Sequence, residues 1–136
     1  MRYILIATHS TFASGINESL KLLIGERPEI SVIDAYVDES DFTHKVDEFF
    51  SEFNSDDEYV VFTDLFGGSV NQKIFSYKNK YEFHLITGFN LPVLLEIILY
   101  GKQLSVPIVE DIIGKCRQEL SLVNIENDDT EEENFL

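Results

Sequence analysis

The 136-residue sequence has one cysteine, no tryptophan, and only ten lysines and arginines against 25 aspartates and glutamates. The lone Cys116 rules out an intrachain disulfide and leaves no pair of thiols for a metal or redox motif, which fits a reducing cytoplasm. A formal net charge of -15 argues against sequence-independent binding to nucleic acid or anionic lipid, because the phosphate field repels such a surface. A basic protein partner is the natural complement. No apolar run approaches the roughly 20 residues needed to cross a bilayer. The run behind Arg2 is too short for a signal-peptide core and lacks a small-residue cleavage pattern, so the chain is expected to be soluble, unexported and cytoplasmic.

What is present points to a folded body. Apolar residues make up 44% of the chain and aromatics 12%, with eleven phenylalanines, too much hydrophobic payload for a disordered chain. The length suits one domain, placed at residues 1–126. The acidic stretch 127–136 is expected to be a solvated, disordered tail.

Hydrophobic period alternates along the chain. Tyr3 to Thr8 reads as a buried strand. Phe12, Ile16, Leu20, Leu23 and Ile24 then recur at helical spacing before Gly25, a C-terminal stop. "EISVIDAYV" (Glu29 to Val37) is a second strand, and Ser40 or Asp41 caps a helix with the stripe Phe42, Val46, Phe49, Phe50 and Phe53. Tyr59 to Thr63 is the third strand, followed by the glycine pair Gly67 and Gly68 and a helix containing Ile74 and Phe75. Glu82 to Thr87 is the fourth. Asn90 caps a helix with Pro92 in its first turn and Gly101 as terminator. A short helix spans about Pro107 to Arg117, and "ELSLVNI" (Glu119 to Ile125) is the candidate for a last strand.

This rhythm predicts a three-layer α/β domain around a mainly parallel sheet. Such sheets place their chemistry outside the carboxyl ends of the strands, where strand order reverses. Under the order 2-1-3-4, the loop after strand one, holding His9, lies beside the loop after strand three, holding Asp64. A carboxylate that accepts a hydrogen bond from one imidazole nitrogen fixes the tautomer and leaves the other nitrogen a nucleophile. Ser10 and Thr11 at one helix start, and Gly67, Gly68 and Ser69 at another, offer hydroxyls and backbone N–H groups for a phosphoryl group. Neither loop has a Walker-type run with lysine, so nucleotide hydrolysis fits poorly and transfer from a protein donor to His9 fits better.

"IATHSTFASGI", "VFTDLFGGSVNQ" and "ITGFNLPVLLEII" together resemble the IIA component of the mannose-type family of the bacterial phosphoenolpyruvate-dependent sugar phosphotransferase system. The resemblance spans about residues 1 to 100. It implies that His9 accepts a phosphoryl group from the phosphocarrier protein HPr and passes it to a IIB component, with Asp64 as the hydrogen-bonded orienting partner on Nδ1 and Nε2 the modified atom. It further implies a homodimer in which the antiparallel last strand crosses to the partner subunit, and contact with the membrane only indirectly, through a IIC/IID permease. No cofactor and no metal are implied. Where the family often has Ser-Pro-Phe-Asn after the glycine pair, this chain reads Ser69-Val70-Asn71-Gln72.

Other histidines read as structure: His44 as an exposed helix residue, His84 as a packed strand residue. Cys116 and the phenylalanine stripe read as packing. Two other functions compete. A regulatory phosphocarrier subunit of dihydroxyacetone kinase would use the same histidine, although "DLFGGS" and "GFNLP" favour sugar uptake. A flavodoxin-like electron carrier would need a glycine-rich phosphate loop that "THSTFASG" lacks.

Overall fold

A computed structural model describes residues 1–124. Its elements, in order, are β1 (Arg2–His9), α1 (Phe12–Ile24), β2 (Ile30–Ala35), α2 (Thr43–Phe50), β3 (Glu58–Thr63), α3 (Ser69–Phe75) with a 3-10 turn (Ser76–Asn79), β4 (His84–Thr87), α4 (Leu91–Leu99) and α5 (Val106–Arg117). The four strands form one parallel sheet in the order β2-β1-β3-β4, so the expected α/β architecture and strand order hold.

Strand β1 is central, and its run Ile4–Thr8 is buried. Successive strand side chains point to opposite faces, so its residues feed two cores. Ile4 and Ile6 pack with Leu20, Phe62, Leu94, Ile97 and Ile112 beneath α1, α4 and α5. Leu5 and Ala7 pack with Val46, Phe50, Val61, Val70 and Ile74 beneath α2 and α3. The phenylalanine stripe belongs to this second core: Phe50 stacks on Tyr81 with ring centroids 4.7 Å apart and meets Phe83 at 5.0 Å.

The punctuation residues act largely as expected. Gly25 ends α1 with φ 80°. The Asn90 side chain accepts from the Val93 N–H at 3.0 Å, and its amide donates to the Cys116 carbonyl at 2.8 Å. Asp41 accepts from the Thr43 N–H at 3.0 Å, while Ser40 is drawn into a turn with Asp38.

Several boundaries differ from the sequence expectation; β1 runs one residue further, so that His9 is its last residue, paired with Ala35, instead of lying in the loop after it. Strand β2 stops at Ala35 because Tyr36 turns to φ 67°. Strand β4 begins only at His84, opposite Val60. Helix α2 ends at Phe50, leaving Phe53 outside it. Of the segment expected as a last strand, the described residues 119–124 take no strand conformation. The Gln118 and Glu119 N–H groups fold back onto the carbonyls of Lys115 and Cys116, and residues 121–124 form no ladder. Ile125 and the tail 127–136 lie outside the described residues. No helix among the described residues is long and apolar enough to cross a membrane.

Candidate functional site

The register of β1 against β3 places Ala7 opposite Thr63, so His9 and Asp64 leave the sheet together at its carboxyl edge. Their 55 positions of sequence separation close to bonding distance. The His9 N–H donates to Asp64 Oδ2 at 2.9 Å, and His9 Nδ1 lies 3.1 Å and 3.2 Å from Oδ2 and Oδ1. An ionised carboxylate only accepts, so beside it Nδ1 is the donor, an arrangement that in the neutral ring leaves the lone pair on Nε2. The Asp64 side chain is 12% exposed against 36% for His9. The pair therefore has a sheltered anchor and an accessible ring.

The opposite edge of the imidazole faces α3. Ser69 Oγ lies 3.4 Å from Nε2, and Ser69 in turn is hydrogen-bonded to the Tyr36 hydroxyl at 2.8 Å. A methyl group placed on Gly68 would crowd Leu65 at 3.2 Å and come into ordinary contact with His9 Cε1 at 3.5 Å, so this turn packs directly beside the ring. Gly67 adopts φ 72°, a conformation that favours glycine. Helix α3 starts at Ser69 despite the departure at residues 70–72. Asn71 accepts from the Thr63 hydroxyl at 2.9 Å, and the Gln72 amide donates to the Gly67 carbonyl at 2.6 Å, fastening both ends of the loop.

The sites proposed from sequence for phosphate contact are not equivalent. The Ser10 N–H already donates to the Ala35 carbonyl at 2.8 Å, and the Gly68 N–H to the Leu65 carbonyl at 3.1 Å. At α1, the Ala13 N–H is taken by Thr8 Oγ1 at 2.7 Å and the Ser14 N–H by Asp34 Oδ1 at 3.0 Å. Ser10 and Thr11 are exposed. The first N–H groups of α3, from Ser69 onward, have no intrahelical partners.

Sequence reasoning missed Tyr36, Thr8 and Asp34. In the sequence Tyr36 reads as the penultimate residue of a strand, and the signal against that is the polar "DES" beyond Val37. His44 is exposed and on α2. His84 opens β4 away from the site, its pKa lowered chiefly by burial and secondarily by Lys78. Burial likewise raises the Cys116 thiol, which keeps it in its neutral packed form. Around the site the carboxyl-end loops expose Phe12, Tyr36, Val37, Leu65 and Phe66, the last 87% accessible.

Residues 3–114 match the family model described as the PTS system fructose IIA component. The chain belongs to this family. The mannose-type IIA fold is also seen in solved structures. A Klebsiella pneumoniae protein described as a phosphoenolpyruvate-dependent sugar phosphotransferase system permease is 30% identical over 92% of this chain and 93% of its own, with a TM-score of 0.81. The IIA protein associated with the fucose utilization operon of Streptococcus pneumoniae is 27% identical over 93% and 95%, with a TM-score of 0.71. The mannose/sorbose-specific IIA subunit from Enterococcus faecalis, 15% identical over 91% and 96% with a TM-score of 0.78, shares the fold. This IIA component is thus a phosphocarrier of a sugar phosphotransferase system, a phosphotransferase component whose family implies interaction with HPr and a IIB component. The dihydroxyacetone kinase and flavodoxin-like alternatives are not favoured.

Proposed function

We propose that the chain carries its phosphoryl group as an acid-labile phosphohistidine on His9 Nε2, accepting it from HPr and releasing it to IIB. The observation that carries this reading is the contact of Asp64 with His9 Nδ1 at 3.1 Å. It commits the ring hydrogen to one nitrogen and the nucleophilic lone pair to the other. As the N–P bond forms, the ring takes up positive charge, and the carboxylate beside Nδ1 balances it. Ser69, the open approach past Gly67 and Gly68, and the hydroxyls of Ser10 and Thr11 are the groups that receive the phosphoryl oxygens. Catalysis then comes from positioning and preorganised donors.

The exposed apolar rim and the acidic surface suit docking of a basic protein partner at this edge. Leu120, Leu122 and Val123, each more than half exposed, support a homodimer in which the segment after α5 pairs with a second copy. The chain works in the cytoplasm and meets the IIC/IID permease only through IIB.

The test incubates the protein with phosphoenolpyruvate, enzyme I and HPr and locates the phosphate by mass spectrometry under neutral conditions. Phosphate is expected on His9, and His9→Ala is expected to abolish labelling. Continued labelling of His9→Ala together with loss of labelling in His84→Ala would overturn the assignment.

A further inference from the structure

Tyr36 and Ser10 are the two non-glycine residues with positive φ among the described residues, at 67° and 55°. Left-handed backbone is strained for a non-glycine residue and persists where the surroundings enforce it. Both residues flank His9, one at the end of β1 and the other just past β2. The Ser10 N–H also bonds to the Ala35 carbonyl next to Tyr36, so the two turns are tied together.

The turn at Tyr36 delivers its side chain to the site. The phenol ring lies 5.5 Å from the imidazole, tilted by 34°. Its far side is braced edge-on by Phe42 at 5.6 Å and 81°. Its hydroxyl reaches Ser69 Oγ at 2.8 Å, the atom that faces His9 Nε2. The donors can be assigned. With the hydrogen on Nδ1, Nε2 only accepts, so the single Ser69 hydrogen points at it. Ser69 is then the acceptor toward Tyr36, whose O–H donates.

We propose that Tyr36 is a positioning residue for phosphoryl transfer, holding the Ser69 hydroxyl beside Nε2 while its ring restrains the imidazole; this rests on the reading of His9 as the phosphorylated residue. In the free protein the chain runs from Tyr36 O–H to Ser69 O–H to Nε2. When a phosphorylated donor arrives, the Nε2 lone pair forms the N–P bond and the bond from phosphorus to the donor breaks, its electron pair leaving with the donor atom. The Ser69 hydrogen must vacate Nε2 for this to happen. Held by the Tyr36 donor, Ser69 stays in place and rotates its O–H onto a phosphoryl oxygen. The Nδ1 hydrogen remains with His9, shared with Asp64, and no proton is transferred.

The experiment measures single-turnover transfer from phosphorylated HPr to wild type, Tyr36→Phe, Ser69→Ala and the double variant, across HPr concentrations. Phenylalanine keeps the ring contact and removes only the hydroxyl. The maximal rate of Tyr36→Phe is expected to fall about five-fold, the effect of one neutral hydrogen bond, at an unchanged half-saturating HPr concentration. In the Ser69→Ala background the same change is expected to have no further effect, because the hydroxyl acts through Ser69. A Tyr36→Phe rate within two-fold of wild type, a change in half-saturation alone, or additive losses in the double variant would each overturn the proposal. Phosphate found elsewhere than His9 in the wild type would bring down the underlying reading as well, which separates the two failures.

Discussion

Replacing Asp64 by asparagine changes the charge at the site and little else, and the geometry sets the size of the effect. The carboxylate serves two donors, the His9 N–H at 2.9 Å and the ring Nδ1 at 3.1 Å, both toward Oδ2. Asparagine has one acceptor oxygen and one NH2 donor. If its oxygen keeps the backbone N–H, the NH2 turns toward Nδ1 and the ring hydrogen moves to Nε2, which blocks the attacking lone pair. If its oxygen keeps the ring, the tautomer survives but the ring loses the negative charge that balances it during transfer. A hydrogen bond to a charged group contributes about 1.5–3 kcal/mol, so losing it in the transition state slows transfer roughly 10- to 150-fold. Quenched-flow transfer from phosphorylated HPr measures the rate directly. Fold integrity is checked by circular dichroism, since the asparagine retains a partner for the His9 amide. A rate for Asp64→Asn within two-fold of wild type would refute both tautomer control and charge balance.

Gly68→Ala should fold, because Gly68 has φ -67°; its methyl must push Leu65 back by a few tenths of an ångström and would sit 3.5 Å from the carbon bonded to Nε2. Transfer is expected to slow on the order of ten-fold with little change in Tm, and unaltered kinetics would show that the approach past the ring is not used. Arg2→Ala removes bonds to Glu58 and to the Ile97, Tyr100 and Lys102 carbonyls at the amino edge of the sheet. It should cost about 3 kcal/mol in urea unfolding and leave phosphoryl transfer unchanged; a stability loss below about 1 kcal/mol would contradict the bonding. His84 has a folded pKa below its ordinary 6.5, from burial first and then Lys78, with Glu58 and Glu82 opposing. The unfolded chain therefore binds the proton more readily, so the stability from the neutral ring is complete above about pH 6.5 and is lost on acidification. The Tm difference between wild type and His84→Gln should shift against the wild type between about pH 7.5 and 5.5, and parallel profiles would reject the mechanism.

Much of this architecture was legible because its signals are local and its core is strongly periodic. The stretch Ile4–Thr8 of β1 is buried, Gly25 ends α1 at positive φ, and Asn90 caps α4 through its own side chain. The meeting of His9 and Asp64 followed from topology, since parallel alternation constrains which loops are neighbours. The illegible features are those in which a residue serves a distant part of the chain. Arg2 reads as an ordinary early basic residue, yet it clamps carbonyls about a hundred positions away. Thr8 and Asp34 read as strand residues, yet they cap α1 from outside it. Tyr36 has the composition of a strand residue, and only tertiary contacts with Phe42, Ser69 and His9 explain its left-handed turn. The candidate last strand forms no ladder among the described residues 119–124, and a strand needs a ladder partner.

The distribution of donors at the carboxyl edge bears on how a carrier can both accept and release its cargo. Two N-terminal amides of α1 are occupied by Thr8 and by the carboxylate of Asp34, so that helix start is already satisfied and partly neutralised. On the proposed reading, the backbone donors left for a phosphoryl group lie on the α3 side, beside Ser69, with the exposed residues Ser10 and Thr11 supplying hydroxyls. Asp64 beneath the ring is sheltered, while the ring edge that bears Nε2 is accessible. On that reading, a group on this nitrogen would be held from one side and open to a docking protein from the other. A closed cage would bind it more tightly but would bar the next acceptor. Under the same proposed reading, the half-open arrangement leaves a phosphoryl group on Nε2 within reach of the next acceptor.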